Sequence, residues 1–127
     1  YVSNGTTSGT VPLVNLSGTI SSNPTNLTVA GDKLFFTAVT ANNEVELYVT
    51  DGTRNGTRQV KNLAGTLSSN PKNLVAMGDR IAFSALTSGG QVELHTSDGT
   101  VEGTVQVANL NGGGSANPEI LTATSTH

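Results

Sequence analysis

The side chains most able to do chemistry are carboxylates in a fixed pattern. Glu46 is followed five residues later by Asp51, and Glu93 is followed at the same distance by Asp98. Paired carboxylates can hold Ca²⁺, which takes several hard oxygen ligands. These four are the calcium candidates. They match neither the EF-hand loop nor a nonapeptide calcium repeat, so the competing reading is a Glu bonding a turn amide or a Lys/Arg and an Asp capping its own turn. No other metal or cofactor is called for. With two histidines, His95 and His127, and no cysteine, the ligands for a zinc site are lacking. His95 is the only candidate general base, and it stands where an aromatic packing residue is expected. No serine sits in a nucleophile elbow or beside a base. Gly112-Gly113-Gly114 lacks phosphate-loop form and loosens a linker. The chain therefore reads as non-enzymatic, with no catalytic residue assigned.

Two further sets of residues can meet partners. Tyr48 with Asn42 and Asn43 offers an aromatic ring and two amides, a combination suited to carbohydrate. The next unit has His95, Gly89 and Gly90 at those positions, so that surface is not repeated. Asn4, Asn15, Asn26 and Asn55 each begin an Asn-x-Ser/Thr sequon, an acceptor for glycosylation where the machinery exists.

The elements that position these residues follow from an internal repeat. Ser21-Ser22-Asn23-Pro24 returns at Ser68-Ser69-Asn70-Pro71 and, altered, at Ser115-Ala116-Asn117-Pro118; both steps are 47 residues (68 − 21 and 115 − 68). Asp51-Gly52-Thr53 returns at Asp98-Gly99-Thr100, and Asn4-Gly5-Thr6 occupies the same place one unit earlier. Such self-similarity marks a repeat architecture. Within a unit, Leu34, Phe36 and Ala38 alternate with Phe35, Thr37 and Val39, a strand apolar on both faces and so packed between layers. Val45, Leu47 and Val49 alternate with Glu46, Tyr48 and Thr50 in the next strand. Flanking strands are expected over Asn26–Ala30 and Thr57–Leu63, with no helix anywhere. Gly31-Asp32 and Gly78-Asp79 predict two-residue hairpins, and the Asp-Gly-Thr phrase predicts a turn in which the Asp accepts backbone amides.

The expected fold is all-β, built of tandem four-stranded antiparallel units of 47 residues, each resembling a β-propeller blade. Residues 1–20 supply a partial unit (the end of a third strand and a fourth), 21–67 and 68–114 are full units, and 115–127 supply one first strand. That is an incomplete ring, because propellers take about 4 to 8 blades. The open ends expose strand edges, which suit pairing with further repeats of the same chain or with identical neighbouring subunits.

Composition narrows the partners. Net charge is −3, 35% of residues are hydrophobic and 12% charged. No basic footprint for nucleic acid exists, and no apolar run reaches the roughly 20 residues of a membrane span. The chain starts at Tyr1, which suggests a processed protein or a piece of a longer one.

Glu46-Leu47-Tyr48 with Asp51-Gly52-Thr53, and Glu93-Leu94-His95 with Asp98-Gly99-Thr100, resemble the motif of the bacterial ELWxxDGT repeat proteins. The Asn-Pro-x-Asn-Leu and Gly-Asp-Lys-Leu-Phe-Phe segments are similar to that family too, and the resemblance covers nearly the whole chain. The motif tryptophan is replaced by Tyr48, by His95 and, in the first partial unit, by Tyr1. The resemblance implies a secreted or surface protein of tandem propeller-like repeats, structural or adhesive in role. The alternative is a carbohydrate-binding propeller.

Overall fold

The computed structural model describes residues 1–119 together with Leu121 and Thr122. Among these the chain is all-β, with two four-stranded antiparallel sheets that do not close into a ring. The first runs β1 (Thr25–Ala30), β2 (Lys33–Val39), β3 (Val45–Thr50) and β4 (Arg58–Gln59). The second runs β5 (Lys72–Met77), β6 (Arg80–Leu86), β7 (Val92–Ser97) and β8 (Val105–Gln106). In each sheet the spatial order follows the chain order, a meander.

The turns form as their residues dictate. Ala30 pairs with Lys33 across Gly31-Asp32, with Gly31 at φ +60° and Asp32 outside the left-handed region. That is the primed-turn geometry in which glycine leads. β1 opens at Thr25, with Asn26 at φ +54° forming a bulge between the Thr25 and Thr28 pairings. Asn tolerates that conformation and its amide Nδ2 donates to Thr37 Oγ1 at 3.1 Å, holding the bulge.

The predicted fourth strands are shorter than expected. Residues 57–63 yield only the two-residue β4, after which Val60 N–H donates to Leu47 O at 2.9 Å. Beyond it Asn62 receives Ala64 and Gly65 amides on Oδ1, turning the chain away from the sheet. Residues 1–20 form one isolated antiparallel bridge, Val2 to Val11, rather than two strands, because their pairing ends there. The first strand expected in 115–127 is absent over the described part of that segment; Ile120 and residues 123–127, including His127, lie outside the described residues.

The two sheets pack face to face. Register places Phe35, Leu47 and Val49 on one face of the first sheet, and Ile81, Phe83 and Ala85 on one face of the second. These six, with Ala30 and Val60, make the main core. Burying each phenylalanine there contributes about 1.5–3 kcal/mol. Gly99 allows the close approach: a Cβ on it would sit 3.2 Å from Val49 Cγ2. Arg58 Nη2 donates to Gly99 O at 2.8 Å and Lys61 Nζ to Thr104 O at 3.0 Å, pinning the sheets together. The opposite face of the first sheet carries Phe36, Ala38 and Tyr48 beneath Leu16. The opposite face of the second carries Ala82, Ser84, Leu94 and Thr96.

Candidate functional site

Three turns show what the motif carboxylates do. In each, the first side-chain oxygen accepts from the backbone and hydroxyl of the residue two on: Asp51 from Thr53 (2.9 and 2.7 Å), Asp98 from Thr100 (2.8 and 2.7 Å), Asn4 from Thr6 (3.1 and 2.7 Å). The next glycine amide donates to that threonine, as Gly56 N–H does to Thr53 Oγ1 at 2.9 Å. A hydroxyl pair closes the base, Thr50 with Thr57 and Ser97 with Thr104, each at 2.7 Å. A Cβ on Gly56 or Gly103 would collide with the Asp51 or Asp98 carboxylate, which a larger residue must displace. Asparagine in the first turn does the same work as aspartate, which shows that the turn uses an acceptor oxygen and not a charge. The Thr bonds hold both Asp carboxyls below their ordinary range.

Glu46 and Glu93 do not join these aspartates. Among the described residues no group of three or more His, Asp or Glu side chains is placed to hold a metal ion. Glu46 is fully buried, and its partner comes from the connector to the second sheet. Ser69 N–H donates to Oε1 at 2.9 Å and Ser69 Oγ–H to Oε2 at 2.5 Å. Beside it, Ser68 Oγ accepts Val45 N–H and Asn70 N–H donates to Val45 O. Ser69 O in turn accepts Leu86 N–H, so one tripeptide ties β3 to β6. Burial pushes the Glu46 carboxyl up, against the two Ser69 bonds that lower it.

The second unit keeps the carboxylate and loses the clamp. Glu93 is 2% exposed, and neither carboxylate oxygen has a hydrogen-bond partner among the described residues. The position equivalent to Ser69 is Ala116, which has no hydroxyl, and its amide bonds Val92 O instead of the glutamate. Burying an unpartnered polar group costs about 1–3 kcal/mol. The difference was visible as Ser68-Ser69 against Ser115-Ala116, but nothing in the sequence tied that position to a glutamate 23 residues away.

The remaining candidates separate. Tyr48 is 5% exposed and stacks on Phe36 with centroids 5.7 Å apart, whereas Asn42 and Asn43 lie on the exposed loop. The ring is therefore inside and offers no platform beside those amides. His95 stacks on Phe83 at 5.5 Å, taking the same packing place, and its Nδ1 lies 3.1 Å from Glu93 O. Burial lowers its pKa. Its register face turns it toward the first sheet. The four sequon asparagines are all exposed. Asn15 and Asn26 engage their amide nitrogens, with Gly18 O and Thr37 Oγ1, whereas Asn4 uses its oxygen.

No known family model, curated protein or solved structure matches this chain.

Proposed function

We propose that this chain is a structural or adhesive repeat module of an exported or cell-surface bacterial protein. In this reading each sheet is a propeller-type blade, and the array associates through its open faces with further repeats or with identical subunits. The resemblance of the Glu-Leu-x and Asp-Gly-Thr segments to ELWxxDGT repeat proteins supports it. The observation that carries it is the packing relation between the sheets. One face of the first sheet receives one face of the second, and among the described residues no sheet covers the opposite face of either. Val107 and Leu110, the counterparts of core-packed Val60 and Leu63, are 51% and 61% exposed. Apolar surface left open in this way marks an interaction site.

Carbohydrate recognition has weaker support, because Tyr48 is interior. The test of assembly is sedimentation velocity over a wide concentration range. Species heavier than 12.9 kDa that grow with concentration are expected. A single species of that mass at every concentration would remove self-association.

A further inference from the structure

Among the described residues, one acceptor and one donor of this clamp type stand unengaged. Glu93 is the acceptor, buried with no partner among the described residues. Ser22 is the donor: it holds the place of Ser69 one unit earlier, inside the identical tetrapeptide Ser21-Ser22-Asn23-Pro24. Its backbone is already set in the clamping form. Ser22 O accepts Val39 N–H at 2.8 Å as Ser69 O accepts Leu86 N–H at 2.8 Å, and Asn23 and Asn70 have φ of 38° and 42°. Among the described residues the Ser22 hydroxyl meets no carboxylate.

We propose that Glu93 is a docking point for a second copy of this chain. The Ser21-Ser22-Asn23 segment of that copy replaces Ser115-Ala116-Asn117 against β7, and its Ser22 clamps Glu93 as Ser69 clamps Glu46. The inference deepens the assembly reading and rests on it.

The resident segment is a poor occupant. Ala116 N–H and Asn117 N–H both crowd onto Val92 O, at 3.0 and 3.1 Å. In the first unit the two equivalent amides are shared between Glu46 and Val45. Ser69 is fully buried, whereas Ala116 is half-buried. Exchange also brings matching surfaces together. β1 to β4 follow Ser21-Ser22-Asn23 as β5 to β8 follow Ser68-Ser69-Asn70. Docking therefore lays the Phe36 face of the incoming first sheet over the Ala82 and Thr96 face of the second. Val107 and Leu110 then gain the cover that Val60 and Leu63 have inside the chain, and Leu16 of the incoming copy yields its place to Leu110.

Sedimentation velocity on the wild type, Ser22→Ala and Ala116→Ser tests this. Ser22→Ala removes the incoming hydroxyl, and Ala116→Ser supplies one from within and closes the acceptor. Each changes one oxygen at a half-buried position, and circular dichroism checks that both fold. The wild type should self-associate, and each variant should raise the dissociation constant about tenfold or more. Self-association of undiminished strength in both variants overturns the Glu93 contact while leaving the assembly reading intact. A wild type that stays monomeric at all concentrations overturns both.

Discussion

Ser69→Ala gives the first unit the residue that the second carries at this position. The hydroxyl that donates to Glu46 Oε2 at 2.5 Å disappears, while the amide bond to Oε1 at 2.9 Å stays. Both residues are fully buried, so water cannot replace the lost donor. A hydrogen bond to a charged group is worth about 1.5–3 kcal/mol, and stranding a buried acceptor costs a similar amount. The expected loss is therefore about 1.5–3 kcal/mol, read as a lower urea midpoint at unchanged m. In a domain of this size each kcal/mol lowers the melting temperature by roughly 3–5 °C. Leucine variants sharpen the contrast. Glu46→Leu strands the Ser69 amide and hydroxyl and should destabilise by about 1–3 kcal/mol. Glu93→Leu removes a carboxylate without a partner among the described residues and should be neutral or stabilising. A Ser69→Ala effect below about 0.5 kcal/mol, or equal losses for the two leucine variants, would refute the clamp.

Three further outcomes follow from the same geometry. His95 is held below its ordinary value of 6.5 by burial, with Glu93 raising and Lys61 lowering it. A depressed folded-state pKa gives stability that is present above 6.5 and lost as pH falls through the folded value. Urea titrations from about pH 7.5 to about pH 5 should show the wild type losing more stability than His95→Tyr, which restores the Tyr48-type stack; equal losses would contradict this. Gly56→Ala and Gly103→Ala should each cost about 1–3 kcal/mol, since the Cβ must displace the Asp carboxylate, whereas Gly113→Ala, with open space around it, should be near neutral. Millimolar calcium or its chelation should leave the melting temperature unchanged, because the turns already engage Asp51 and Asp98; a calcium-dependent rise would reinstate those carboxylates as ligands.

The parts of the fold legible in the sequence are those whose partners are near in the chain. The faces of β2 and β3 alternate as the Leu34–Val39 and Val45–Thr50 patterns predict, because period-two patterning fixes which side chains share a face. The hairpin at Gly31-Asp32 and the Asp51 turn are local, and their residue types fix them. What stayed hidden depends on distant neighbours. Tyr48 looks like a surface aromatic until Phe36 and Leu16 close over it. Strand β4 stops at Gln59 although Val60 and Leu63 continue the apolar pattern, since those residues pack toward the second sheet. The clamp joins Glu46 to Ser69 across a connector, which no periodicity reports.

The same division explains where the units differ. The bonds that the Asp51, Asp98 or Asn4 side chain accepts close within its own turn, so each copy needs them, and the Asn4 turn keeps them with Asn in place of Asp. Positions that face another unit are under a different constraint. Phe35, Val49, Arg58 and Lys61 hold the first sheet to the second, and their counterparts are Ala82, Thr96, Val105 and Ala108. Those four replacements remove the bulk and both cationic pins from the second sheet's open face. In the proposed assembly a partner on that face would meet a flatter, partly polar surface. In the assembly proposed above, a unit that keeps its turns and changes these positions has its specificity there, with Glu93 reached from the connector side as Glu46 is.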